Sequence, residues 1–219
     1  MPTPVRFLFD FLSPYAYLAW SQIHGLAQRH GRAVQPEPVL LAALLDSHGQ
    51  LGPAEIPAKR TYVFRDVLRS ARVLGLQLSP PPAHPFNPLL GLRIAALELS
   101  PQDRFAAIDA LFGAVWEDGR GITDPSAVAA ALTERDLNGA ALVAAAGTPA
   151  AKQRLKALTQ QALEDGVFGV PSLIADGELF WGFDSMGHLD RFLANGGEPP
   201  SAELLARWDA LEPQATRRR

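Results

Sequence analysis

Residues 5–10 crowd Val5, Phe7, Leu8 and Phe9 into a short apolar run that stops before Ser13-Pro14. A run of that length, closed by a turn signal, predicts a buried strand. The period then changes: Ala19, Ile23, Leu26 and Ala27 fall on one stripe of a helix over 14–30, which Gly31 stops. Residues 33–41 predict a second strand, but Pro36 and Pro38 cannot donate to a ladder, so it belongs at a sheet edge. The chain opens as strand, helix, strand.

The middle reads as helical. Val63, Phe64, Val67, Leu68, Ala71 and Leu74 mark an apolar stripe on a helix over 57–74. Asn87-Pro88, Ser100-Pro101, Asp124-Pro125 and Thr148-Pro149 repeat one device, a good N-cap residue ahead of proline at the first helical position. Past the helix that follows Pro149, residues 172–175, an Asp176-Gly177 turn and residues 178–181 predict a hairpin, with a helix from about Ser185. Leu204, Leu205 and Trp208 mark a last short helix expected to pack on the outside. This order predicts an α/β frame over 1–45 and 149–198, an all-helical insertion over 46–148 and an extension over 199–219.

Composition narrows the chemistry. With 219 residues, 47% hydrophobic and 20% charged, the chain can fill a core and is neither disordered nor a membrane protein. No apolar run reaches the roughly 18–20 residues of a spanning helix, and residues 1–6 lack a secretory pattern, so a cytoplasmic protein is expected. There is no cysteine, which excludes disulfides, thiolate nucleophiles and iron–sulfur clusters. Any thiol chemistry needs a thiol brought in from outside. The net charge of −3, with both signs interspersed, gives no footprint for nucleic acid, and Arg217, Arg218 and Arg219 read as a solvated end. The five histidines show no ligand spacing, so no metal is expected.

Ser13 is the residue to explain. It lies past a strand tip at the start of a helix, where free N–H groups and the macrodipole favour negative charge. It reads either as the helix cap or as a donor to an anion. Pro171 opens a strand as an ordinary trans proline or as a cis one. Asp184 is a cap or an anchor for an ammonium. Lys59, Tyr62, Asp66 and Arg69 share a helical face within about 80°, a pattern that is normally just solvated. Phe86, Asn87 and Trp181 read as cap and core residues or as the lining of an aromatic-tolerant substrate pocket.

Four segments in order, FDFLSPYAYLA (9–19), PAKRTYVFRD (57–66), PFNP (85–88) and GVFGVPSLIADGELFWGFD (166–184), resemble the 2-hydroxychromene-2-carboxylate isomerase family. That family is close to the kappa-class glutathione transferases in the DsbA-like thioredoxin superfamily. The resemblance implies a thioredoxin-like fold with a large helical insertion, in which Ser13 replaces the first cysteine of C-x-x-C and glutathione supplies the sulfur. It implies that glutathione lies against Ser13, Pro14 and Tyr15, pairs with Val170 beside a cis Pro171, and reaches Lys59, Asp184 and Ser185. Two positions depart from the family: Gln50 stands where an asparagine is common, and Ser185 where the Asp-Arg pair has its arginine.

The implied reaction converts 2-hydroxychromene-2-carboxylate, or a related small aromatic substrate, to trans-o-hydroxybenzylidenepyruvate. Ser13 is the implied catalytic residue, Lys59, Phe86, Asn87 and Trp181 the substrate contacts, and a homodimer the implied assembly. Two alternatives stay open: a kappa-like glutathione transferase, and a non-catalytic thioredoxin-like binding protein in which Ser13 only caps its helix.

Overall fold

The computed structural model describes residues 2–213, so Arg217, Arg218 and Arg219 lie outside the described residues. Strand β1 (Val5–Phe9) runs into helix α1 (Pro14–Arg29) and strand β2 (Val34–Pro38). Strands β3 (Ser172–Ala175) and β4 (Glu178–Trp181) complete a four-stranded sheet in the order β2-β1-β3-β4. β1 is parallel to β2 and antiparallel to β3, with Phe7 opposite Pro36 on one side and Leu173 on the other. The proline-bearing β2 is an edge strand, as its missing N–H groups require. The hairpin turns at Asp176 and Gly177, both with positive φ.

Between β2 and β3 lie helices α2 (Leu41–Ser47), α3 (Pro57–Leu74), α4 (Leu89–Ala95), α5 (Pro101–Trp116), α6 (Pro125–Thr133), α7 (Gly139–Ala146) and α8 (Pro149–Glu164). This order matches the thioredoxin-like layout with a large helical insertion that the resemblance implies. Ser100, Asp124 and Thr148 each accept a bond from the backbone N–H three residues on, so three of the four Pro-marked starts hold. The fourth begins one residue later than expected: Asn87 Oδ1 accepts from Leu89 N at 3.0 Å, and Pro88 caps α4. The second strand also stops short, because the chain turns into α2 at Leu41. No proline precedes α7, which the Asn138 side chain caps instead.

Aromatic packing joins sheet and insertion. Phe9 and Phe11 of the β1 end meet Phe112 of α5 at ring-centroid distances of 5.5 and 4.7 Å. Such contacts add to the burial of large apolar area. The stripe on α1 is buried as expected, whereas on α3 only Val67 and Ala71 are fully inside and Leu68 is 56% exposed. Helix α9 (Met186–Ala194) packs on the hairpin side through Leu189, Phe192 and Leu193. Helix α10 (Ala202–Asp209) corrects an expectation, since Leu204, Leu205 and Trp208 stay exposed at 47, 41 and 66% instead of packing on the body.

Candidate active site

Ser13 sits where β1 gives way to α1, 7% exposed. Its Oγ accepts from Ala16 N at 3.2 Å and donates to the Val170 carbonyl at 3.4 Å. The cap bond is ordinary for a helix start, but the second is long for an O–H donor, whose usual span is roughly 2.5–3.0 Å. A hydroxyl carries one proton, so this one can be redirected to a stronger acceptor such as a thiolate at small cost. Pro14 has no N–H, and the Tyr15 amide meets no acceptor among the described residues. The start of α1 therefore offers both a hydroxyl and a free N–H.

The Val170–Pro171 peptide is cis, in agreement with the expectation drawn from the resemblance. Pro171 is buried, and its carbonyl accepts from Gly182 N at 2.9 Å. The Val170 N–H has no acceptor among the described residues. An unpaired N–H beside Ser13 is what an extended peptide needs in order to add as a short strand.

Tyr15 connects this point to α3. Its hydroxyl donates to Asp66 Oδ2 at 2.8 Å. Burial pushes the phenol well above its ordinary range, and the Asp66 hydrogen bond and the charges of Asp66, Tyr62 and Asp184 add to this. Tyr15 therefore stays protonated and keeps donating. Tyr15, Lys59 and Tyr62, with Pro53, Ala58 and Val63, line a cleft of about 410 Å³. Lys59 is exposed and makes no ion pair among the described residues, so its ammonium is free for a carboxylate.

The other expected residues spread outward. Asp184 is exposed, and its carboxylate folds back over Gly182, whose φ of +91° only glycine holds easily and where a Cβ would stand 2.5 Å from Asp184 Oδ1. Ser185 spends its hydroxyl on the Gly182 carbonyl at 2.8 Å. Trp181 lies against Gly169 with its ring 5.0 Å from Phe168, which puts it on the Val170 side of the site. Gln50 is exposed on the link from α2 and is not among the residues that line the cleft. Phe86 packs on the main core, and the Asn87 side-chain oxygen is occupied by the Leu89 N–H. The structure thus joins Ser13 to Val170 and Tyr15 to Lys59, and leaves Gln50 and Asn87 without a contact to either pair.

Three supports of the Ser13 junction were not singled out from sequence. Asp10 is fully buried and accepts from Leu12 N and Leu41 N, both at 2.9 Å. Burial raises its carboxyl to about 6, against the lowering effect of those two N–H groups. Trp116 Nε1 donates to the Phe11 carbonyl at 3.0 Å, and His84 Nε2 lies 2.9 Å from the Leu12 carbonyl. Asp10 carried one readable signal, an acid closing an apolar strand; His84 and Trp116 carried none, being 72 and 105 residues from their partners.

A family model described as the DSBA-like thioredoxin domain matches residues 4–194. The 2-hydroxychromene-2-carboxylate isomerase of Pseudomonas putida is 30% identical over 191 residues, covering 85% of this chain and 92% of its own. Glutathione S-transferase kappa 1 of Homo sapiens is 25% identical over 223 residues, covering 92% of this chain and 96% of its own. The solved structure of a 2-hydroxychromene-2-carboxylate isomerase superposes with a TM-score of 0.80 at 28% identity, over 94% of this chain and 97% of that one.

Proposed function

The chain belongs to the DSBA-like thioredoxin family, in the branch of the 2-hydroxychromene-2-carboxylate isomerases, and we propose that it works as a glutathione-dependent isomerase. Its proposed reaction takes 2-hydroxychromene-2-carboxylate, or a closely related aromatic-catabolic acid, to trans-o-hydroxybenzylidenepyruvate. The observation that carries the reading is Ser13: a buried hydroxyl that caps α1 through the Ala16 N–H and whose one proton goes to a 3.4 Å bond to the carbonyl of Val170.

The residues fit glutathione as a ligand. The Ser13 hydroxyl and the Tyr15 N–H would face its sulfur, and the Val170 N–H and carbonyl would pair with its backbone. Lys59 would take a carboxylate and Asp184 the ammonium of the γ-glutamyl end. Ser185 offers no charge in place of the family's arginine, so that end of the site is held by one ion pair fewer. When bound, glutathione would supply a thiolate able to add reversibly to the substrate double bond, so that the bond could rotate and the thiol be recovered. Ser13 and the α1 N-terminus hold the sulfur's negative charge, at a point where a free thiol, with a pKa near about 8.5, would be mostly protonated. Trp181 offers an aromatic face beside Val170, and Lys59 orients the substrate carboxylate across the cleft. Phe86 and Asn87 stay proposed substrate contacts on the resemblance alone, because neither lines the cleft of Tyr15 and Lys59.

The same proposal includes the division into 1–45 with 149–198, 46–148 and 199–219, a homodimeric assembly, and a glutathione-rich compartment such as the cytosol. A second reading, kappa-like glutathione transfer, is favoured by the human relative, which matches nearly the full length of the chain. Incubation with 2-hydroxychromene-2-carboxylate, with and without glutathione, followed by ultraviolet spectra and a free-thiol assay, separates them. Glutathione-dependent conversion with thiol conserved supports the isomerase. Loss of thiol in step with turnover supports transfer, and no conversion with no glutathione binding rejects both.

A further inference from the structure

The loop that presents Ser13 is pinned from outside its own domain. Phe11 and Leu12 turn their carbonyls towards the helical insertion, where Trp116 Nε1 donates to the first at 3.0 Å and His84 Nε2 meets the second at 2.9 Å. From the other side, Asp10 takes the Leu12 N–H on its carboxylate and the Ser13 N–H on its carbonyl at 3.0 Å. The backbone polar groups on both sides of Leu12 are thus matched before any ligand arrives.

The His84 tautomer follows from its surroundings. Its Nδ1 is buried and has no partner among the described residues. A proton on Nδ1 would be a buried donor without an acceptor, and Nε2 would then point a lone pair at a carbonyl oxygen. The neutral ring with its proton on Nε2 satisfies that atom and leaves at Nδ1 an unmatched lone pair in place of an unmatched donor. Phe64, Phe86 and Trp116 surround it with ring centroids at 5.3, 6.3 and 5.7 Å, and burial, with the nearby Arg60 charge, disfavours the imidazolium against the opposing pull of the Leu12 carbonyl. Phe64 stands on α3, the helix that carries Lys59 and Asp66, so one imidazole packs on that helix and bonds the serine loop.

We propose that His84 is a positioning residue for Ser13: by donating from Nε2 to the Leu12 carbonyl, it sets where the serine hydroxyl stands relative to Val170 and to an incoming thiolate. The proposal rests on the glutathione role assigned to Ser13 above. His84 touches neither sulfur nor substrate in this account, and acts through the single peptide bond between Leu12 and Ser13.

Two variants separate the hydrogen bond from the packing. His84→Phe keeps an aromatic ring and removes the donor; His84→Gln places an amide N–H near the Nε2 position. Amide exchange at Ser13 and Ala16, read without ligand, is expected to speed up about tenfold in H84F and to return to within about threefold of wild type in H84Q. Glutathione-dependent kcat should fall about tenfold in H84F with KM for glutathione changed by less than about twofold, and H84Q should restore it. Equal exchange in wild type and H84F, or an H84Q that behaves like H84F, overturns the proposal. If H84F does not fold, H84Q still decides, together with nitrogen NMR of the wild-type imidazole, which must show the Nε2–H tautomer at neutral pH. An Nδ1–H or protonated ring would contradict it. A wild type with no glutathione-dependent turnover would reject the proposed function, while the exchange comparison would still stand or fall by itself.

Discussion

The two ends of the candidate glutathione site are built differently. At the sulfur end, Ser13 and Asp10 are buried, and His84, Trp116 and Asp10 hold the connecting backbone. At the carboxylate end, Lys59 and Asp184 are exposed side chains on a helix start and a turn, and Gln50 hangs from a link. Charge placed at the first end is worth more because water is excluded, and moving it is expensive because the core must move too. Groups at the second end are screened and act singly. The difference teaches that this fold fixes the chemistry at one end and leaves affinity to be tuned at the other.

Substitutions should respect that division. The largest effect is expected for Ser13→Ala, a loss of about a hundredfold in glutathione-dependent kcat, as when one donor to a developing anion is removed. Its stability cost should be only about 1 kcal/mol from the lost cap, read by urea unfolding. Next comes Asp10, whose folded carboxyl titrates near 6 against an ordinary 3.8. The folded chain holds a proton that the unfolded chain releases between those values, so the stability Asp10 contributes is present below about pH 4 and lost as pH rises through 6. Asp10→Asn should remove that slope, shifting the stability difference between variant and wild type by on the order of 2–3 kcal/mol across the window, measured by denaturant unfolding at several pH values.

At the exposed end the effects should be smaller and of another kind. Lys59→Ala is expected to raise the glutathione concentration for half-saturation about tenfold, with kcat within about threefold and the melting temperature unchanged. Ser185→Arg should tighten glutathione binding about threefold by returning the missing charge, seen by calorimetric titration. A kcat loss in K59A as deep as in S13A would break the comparison.

Much of the frame was legible because it rests on local rules. Asp176-Gly177 specified a hairpin, Pro36 and Pro38 an edge strand, and Ser100, Asp124 and Thr148 helix starts. Proline limits what the backbone can do at its own position, and that limit survives tertiary context. Helix α7 was missed because Ala-rich sequence after Asn138 carries little periodic signal. The exposure of Leu68 and of α10 was not legible, since an apolar stripe states what could be buried and not whether a partner exists. In the site, Ser13 and Val170 came from motif order, and Lys59 and Tyr15 were brought to one cleft by the fold. The contacts of His84 and Trp116 with the serine loop span 72 and 105 residues, and no spacing rule reaches that far.

The central claim is that the Ser13 junction stabilises a thiolate. Ultraviolet titration of the glutathione thiol bound to wild type and to S13A tests it most directly. The account expects a bound thiol pKa well below the free value of about 8.5 in wild type, and a return towards that value in the variant. The same pKa in both proteins, with glutathione bound in each, would contradict it.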